Sequence, residues 1–421
     1  MMQKRLLSLL LITVAVLGIG LILTQRQQPI VEGVSESGPL VPGLSNELND
    51  IKALRITGAG NALIAELTRK DSGWVVSNRH DYPADFDKVR EYLLKLADAK
   101  LREAKTSKPE NYARLGVEDL AGAEAKGLGV ELIGTKAPVK LIVGIASGGG
   151  SPGTFVRRAD EAASYLVSGD VIPDKEGANW LARQIMDLPS SEVYSVAVTA
   201  PDKSVLKIDK PDASQFNYNV ASVPKGRELS SESAANIIAG ALSSVTLEDA
   251  LPIAEATPDS ASTWTAQYLS YDGFAVDTTV WDKDAKTWAT FAAHVDEAQL
   301  DAWLAKEQAK ADAARATAEA EAAAKAESAS KASEGAKDDS ATDTAQAEPP
   351  KDGADADSAT ADAPPLPPAF DAEKTKADKR AELDKRVAEL NEKTAPWAYA
   401  IPNWKAANIK KKMDDLLKPK S

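Results

Sequence analysis

The chain has 421 residues, with 50 Lys and Arg against 63 Asp and Glu and a net charge of −13. This length accommodates two or three folding units at roughly 100–200 residues each. With no cysteine and only two histidines, His80 and His294, the chain excludes disulfides, thiolate zinc sites and cysteine nucleophiles, and a histidine-rich metal centre is not expected; the acidic balance argues against binding nucleic acid through its phosphates.

Residues 1–5 form a short tail carrying Lys4 and Arg5, and from Leu6 to Leu23 the chain reads LLSLLLITVAVLGIGLIL, with no charge. Eighteen helical residues span roughly 27 Å, close to the ~30 Å hydrocarbon core. Lys4 and Arg5 before the run predict a cytoplasmic N-terminus with the remainder exported. A cleaved signal peptide is the rival reading, but the exit LTQRQQP lacks the small-residue pattern of a cleavage site. We therefore expect a single-pass transmembrane signal anchor over 6–24, in a bacterial inner membrane with the bulk periplasmic. Residues 25–48, with Gly33, Gly38, Pro39, Pro42 and Gly43, are expected to form a flexible tether.

Two related stretches follow. DIKALRIT (residues 50–57) and EVYSVAVT (192–199) each place apolar residues at alternate positions after an acid, the mark of a half-buried strand. Each leads through a turn to further strands, at 62–69 and 73–77 in the first stretch and 205–208 and 216–220 in the second. Each then reaches an amphipathic helix, expected at 85–104 with Phe86, Val89, Leu93, Leu96 and Leu101 on its inner face, and at 230–250. Asp85 and Ser230 or Ser231 suit the N-caps. Strands are expected at 129–133, 139–145, 154–158 and 164–167 after the first helix, a short helix at 180–187, and a meander at 263–271, 273–281 and 287–294 after the second. The fold class is thus α+β: a transmembrane helix, then an antiparallel-sheet-plus-helix module used twice (49–188 and 189–308).

Residues 309–370 are Ala-rich, acidic and finally Pro-rich, with a net charge of −7 and almost nothing large to bury. They read as an insertion, a solvated helix up to about residue 332 followed by disorder over 334–368. Residues 371–421, net +4, are expected to supply a helix, a strand at WAYAI and a last helix that close the second repeat.

No catalytic, cofactor-binding or metal-binding residue is assigned. The run from Gly144 to Gly153 has no following lysine, so it reads as a hairpin loop rather than a phosphate loop. No acidic cluster is spaced around His80 or His294. Asp85 and Asp87 suit a helix cap and first turn, and Asp282 and Asp284 suit a turn; Glu248 and Asp249 make a third acidic pair. Ser204 and Lys207, three apart on an expected strand, point to opposite faces. Trp264, Tyr268, Tyr271, Trp281 and Trp288 read as cross-strand packing, with a glycan-binding face as the other reading. Lys410 to Lys412 read as a solvated helix face.

The anchor, the DIKALRIT strand, the Gly73–Trp74 pair, the helix DFDKVREYLLKLADAKLREA, YARLGV at 112–117, KLIVG at 140–144, FVRR…SYLV at 155–167 and WAYAIPNW together resemble a bacterial family, the domain of unknown function 4340 group. The resemblance covers most of residues 49–300 and carries no catalytic residues. It implies an envelope protein often associated with ABC-type export and gliding-motility-like components, and residues 309–370 depart from its pattern. The expected role is a non-enzymatic binding or scaffold protein with envelope or transporter partners. The alternative is a carboxylate-dependent enzyme or binding module acting on an envelope polysaccharide around Trp264 to Trp288.

Overall fold

A computed structural model describes residues 35–148, 152–259, 261–334 and 367–419. The expected anchor, residues 25–34 of the expected tether and the expected disordered stretch up to residue 366 lie outside the described residues. The rest of that tether is folded rather than flexible: Ser35–Pro39 is a strand paired with Lys100–Thr106, and Leu40 and Leu44 are buried, because a strand edge and an apolar core are there to receive them. Among the described residues no helix is long and apolar enough to cross a membrane.

The architecture is α+β with antiparallel sheets, and its contacts fall into two compact units interleaved in sequence. The first comprises the chain up to Ile185 together with Ser244–Thr257 and Trp397–Pro402; the second comprises Met186–Ser243, Pro258–Pro396 and the chain from Asn403.

In the first unit, β1 (Ser35–Pro39) and α1 (Leu44–Glu47) precede β2 (Ala53–Thr57), β3 (Leu63–Lys70), β4 (Gly73–Val76) and β5 (Tyr82–Pro83). Helix α2 (Phe86–Asp98) begins at Asp85, whose carboxylate accepts the Lys88 amide at 3.0 Å, satisfying one of the unpaired donors of the first turn. Val89, Tyr92, Leu93, Leu96 and Ala97 form its buried face, and this periodic stripe drives the helix onto the sheet. The helix stops six residues short of the expected end. Lys100–Thr106 is instead strand β6, paired with β1 and with a later strand. Its Lys, Arg, Glu and Ala favour helix locally, but pairing on both sides overrides that weak preference.

Helix α3 (Tyr112–Leu115) and strands β7 (Leu128–Ile133), β8 (Val139–Ala146), β9 (Gly153–Arg158) and β10 (Ser164–Ser168) follow. The sheet order is β1-β6-β10-β9-β8-β7-β2-β3-β4-β5. β8 and β9 pair antiparallel on either side of the Gly-rich run. The helix expected at 180–187 is a 3-10 turn, Gly177–Trp180, followed by a short strand, Gln184–Met186. Asp249–Pro252 pairs antiparallel with Trp397–Ile401, and Tyr82 packs edge-on against Trp397 at 4.9 Å and Tyr399 at 6.3 Å.

In the second unit, β11 (Val193–Thr199), β12 (Val205–Asp209) and β13 (Asn219–Val220) lead to α4 (Asn236–Ala239). The long helix expected over 230–250 is therefore a single turn, with a 3-10 turn at Gly240–Leu242 after it. Gly240 and the β-branched Val245 and Thr246 lower helix propensity, and the Asn236 side chain is occupied elsewhere. It accepts from Tyr218 N at 3.1 Å and donates to Phe216 O at 3.3 Å. This clamp holds Phe216 in a loop rather than the expected strand.

The meander β14 (Trp264–Ser270), β15 (Phe274–Lys283) and β16 (Lys286–Val295) extends the run of paired strands to β13-β12-β11-β14-β15-β16. β2 and β11 occupy matching places, each between its hairpin partner (β3, β12) and the first strand of the later meander (β7, β14).

Helix α5 (Glu297–Glu334) and helix α6 (Ala372–Thr394) follow. Ion pairs from Lys376 to Asp301 and from Arg380 to Glu297 join their bases. Asn391 exchanges two hydrogen bonds with the Ala293 backbone, at 2.7 and 2.8 Å, which fixes α6 to β16. α7 (Asn403–Ile409) and α8 (Met413–Leu416) end the described chain. The basic run between them is ion-paired at both ends, Lys410 with Asp282 at 2.8 Å and Lys412 with Asp202 at 2.5 Å.

Candidate binding groove

The β3–β4 hairpin turns at Asp71 and Ser72, and Gly73 takes φ +118°, a conformation that disfavours side chains. This sets Trp74 opposite Arg69 in the ladder. Trp74 is buried, as are Val89 and Leu93 on α2, and all three line one concavity. Together they line a groove of about 620 Å³ that Leu48 and Asn49 also line.

Two apolar side chains on its rim are not covered. Phe86 is 57% exposed and Leu94 39% exposed. Phe86 thus departs from the expected inner helix face: it occupies the first helical position, where no preceding turn lies beneath the side chain. Phe86, Arg90 and Leu94 follow one another at intervals of four and share one helix face.

The groove also carries charge. Arg69 donates to the Asn49 carbonyl at 2.8 Å, and Lys70 pairs with Asp81 at 2.8 Å. Arg90 has no ion pair among the described residues. Asp71 is the one carboxylate in the lining, so a locally cationic rim stands on an acidic protein.

The other face of α2 holds a polar cluster whose partners are all internal. Lys88 Nζ lies 2.6 Å from Asp174 and 5.3 Å from the centre of the Trp180 ring. Burial acts to raise the Asp174 pKa, but hydrogen bonds from Lys88, the Glu176 amide and Asn179 outweigh it and hold the carboxyl below its usual value. The Tyr92 hydroxyl, buried and donating to Val171 O at 3.2 Å, is pushed well above the usual phenol range. Across β3, β2, β7 and β8 the charges of Glu66, Arg55, Glu131 and Lys140 alternate and pair at 2.6–3.3 Å.

A second built feature stabilises the unit rather than binding. Arg157 is buried on β9. Its Nε donates to Val117 O at 2.8 Å, Nη1 to Ala159 O and Glu161 O at 3.4 and 3.3 Å, and Nη2 to Asp119. The guanidinium also lies 4.7 Å from the centre of the Tyr112 ring. These contacts staple the segment from Tyr112 to Leu120 onto the sheet, where Tyr112, Val117, Leu120 and Ile142 form a buried cluster. The approach is close enough that a Cβ on Gly144 would stand 2.1 Å from Leu115 O, and one on Gly127 2.3 Å from Gly116 O. Gly144, the first residue of the Gly-rich run, is therefore a contact point for the backbone.

The other residues singled out in the sequence are dispersed. His80 Nδ1 lies 3.6 Å from Glu255, and His294 Nδ1 3.3 Å from Asp277. Each histidine thus has a single carboxylate neighbour, Glu255 from far along the chain for His80 and Asp277 from the paired strand of the same hairpin for His294. Asp249 accepts from Arg79 at 2.8 Å. Asp282 accepts from Thr287 at 2.6 Å and from Lys410, while Asp284 and Ala285, at φ 52° and 60°, form the β15–β16 turn. Ser204 precedes β12 and donates to Asp202 at 2.6 Å. Tyr268, Trp281 and Trp288 are buried, as packing requires, while Trp264 and Tyr271 are half-buried. Among the described residues no three of His, Asp or Glu gather to hold a metal ion.

Residues 74–264 match the family model described as Domain of unknown function (DUF4340). That stretch is a DUF4340 match. It begins at Trp74 in the groove lining and takes in α2, the Arg157 staple and the strands up to β14. No curated protein and no solved structure matches the chain.

Phe86 and Arg90 belong to no functional motif of the sequence. The signal present was width: apolar residues at 86, 89, 93, 94 and 96 cover more of the helix than one buried stripe needs.

Proposed function

We propose that this chain is a single-pass inner-membrane protein whose periplasmic part is a non-enzymatic binding or scaffold module serving an ABC-type transport or other envelope complex. The observation that carries the binding role is the groove beside α2, where Phe86 and Leu94 stay exposed beside the buried Trp74, Val89 and Leu93. Exposed apolar side chains grouped around a concavity mark interaction sites. The membrane placement is supported by the uncharged run from Leu6 to Leu23 with Lys4 and Arg5 before it. An internal duplication of the sheet-plus-helix module is supported by the matching places of β2 and β11 in their sheets.

An enzyme working on an envelope polysaccharide would need aromatic faces open to the sugar. The inward packing of Tyr268, Trp281 and Trp288 favours the binding role instead.

Because the chain lacks cysteine, a single Gln28→Cys substitution gives a clean topology reporter. Membrane-impermeant maleimide should label it in intact spheroplasts, and carbonate should not extract the protein. Labelling only after inner-membrane lysis, or release by carbonate, refutes the placement. Crosslinking of gently solubilised membranes should recover envelope transport proteins; recovery of cytosolic proteins alone counts against the scaffold role.

A further inference from the structure

We infer that the groove beside α2 receives an amphipathic helical segment of a partner protein, apolar along one face and bearing carboxylates at its edge. The inference deepens the binding role proposed above and rests on it.

The shape comes from α2 itself. From Phe86 to Leu94 the exposed ridge runs about 12 Å at 1.5 Å per residue, and its side chains recur every fourth position. Such a ridge flanked by a channel is what a second helix fills when ridges pack into grooves. Trp74, Val89 and Leu93 lie buried in the lining, between the exposed apolar Phe86 and Leu94 and the charged Arg69, Lys70 and Arg90. A partner that covers Phe86 and Leu94 removes from water two apolar groups that the fold leaves exposed.

Charge sets the second requirement. Arg69, Lys70 and Arg90 face the groove against one carboxylate, Asp71, in a protein of net charge −13. Lys70 and Arg69 already have partners, whereas Arg90, midway between the two exposed apolar residues along the helix face, has no ion pair among the described residues. A carboxylate on the incoming helix supplies that missing partner in bidentate form. Helix α5 of a second copy does not fit: beyond Leu304 its described part offers alanine and charged residues but no large apolar side chain.

The test is selection from a displayed library of helix-forming peptides, using the full chain in detergent micelles as bait. A Phe86→Ser, Leu94→Ser double variant serves for counter-selection. Both positions are exposed, so the variant should keep its fold, which far-ultraviolet circular dichroism checks. Enriched peptides should carry large apolar residues at i, i+3 or i+4, and i+7, flanked by Glu or Asp. Arg90→Glu should weaken their binding about tenfold and favour matched peptides with Lys in place of Glu.

Enrichment of basic or uncharged peptides, equal affinity for the double variant, or no enrichment overturns the inference. So does binding of phosphatidylglycerol vesicles through Phe86, Arg90 and Leu94 in the absence of any peptide preference, which would make the groove a lipid site. A cytosolic location of residue 28 would remove the envelope placement and leave the peptide result untouched.

Discussion

Replacing Arg157 by methionine should unfasten the segment from Tyr112 to Leu120. The side chain is only 5% exposed, and its hydrogen bonds reach Val117 O, Ala159 O, Glu161 O and Asp119. Methionine approximates the volume but donates nothing. Val117 O, met at 2.8 Å by Nε alone among the side-chain donors, loses its partner inside the packed segment, at roughly 1–3 kcal/mol. Loss of the charge-assisted bond to Asp119 and of the contact with the Tyr112 ring adds about 1–2 kcal/mol. These losses overlap, and Asp119 is 84% exposed, so it stays solvated and no unpaired buried charge is left behind; the expected total is about 2–4 kcal/mol. In a unit of this size that shifts the melting temperature by roughly 10 °C. Because two units need not unfold together, amide hydrogen exchange across residues 109–127 is the decisive assay, with urea unfolding as its companion. Protection there should fall by the full amount while β11 to β16 keep theirs. Arg157→Lys should recover less than half, since an ammonium cannot reproduce the planar fork. A loss below about 1 kcal/mol with protection of 109–127 intact would refute the staple.

Gly144→Ala should destabilise the first unit by about 1–3 kcal/mol, because the new methyl meets Leu115 O at 2.1 Å; Gly148→Ala, with nothing within 4 Å, should be neutral, and equal melting temperatures for the two would contradict the close approach. The depressed Asp174 pKa means that its contribution is complete above the unfolded carboxyl value and is lost as pH falls through the folded one. Wild type should therefore lose stability relative to Asp174→Asn below about pH 4, measured by urea unfolding across a pH series, and a constant difference would reject the assignment. Asp284 and Ala285 both take positive φ, so Asn-Gly there should stabilise the β15–β16 hairpin by about 0.5–1 kcal/mol; an unchanged or lower melting temperature would count against the turn assignment.

The sequence by itself determined most of the strands and the Asp85 start of α2. Alternation in ALRIT and VYSVAVT, and the meander from Trp264 to Val295, are local patterns with period two, and a half-buried face suffices to impose them. The placement of the Gly-rich run between two strands was legible for the same reason. Tertiary structure decided the rest. Lys100–Thr106 has helix-forming residues yet forms a strand because β1 and β10 pair with it, and Asn236 spends its amide on the Phe216 loop rather than on a longer helix. Arg157, the His80–Glu255 pair and the groove all depend on groups far apart in the chain. No local period encodes which distant carbonyl or carboxylate will face a side chain, because that choice is made only when the sheets close and the cost of burying each charge is settled against its partners.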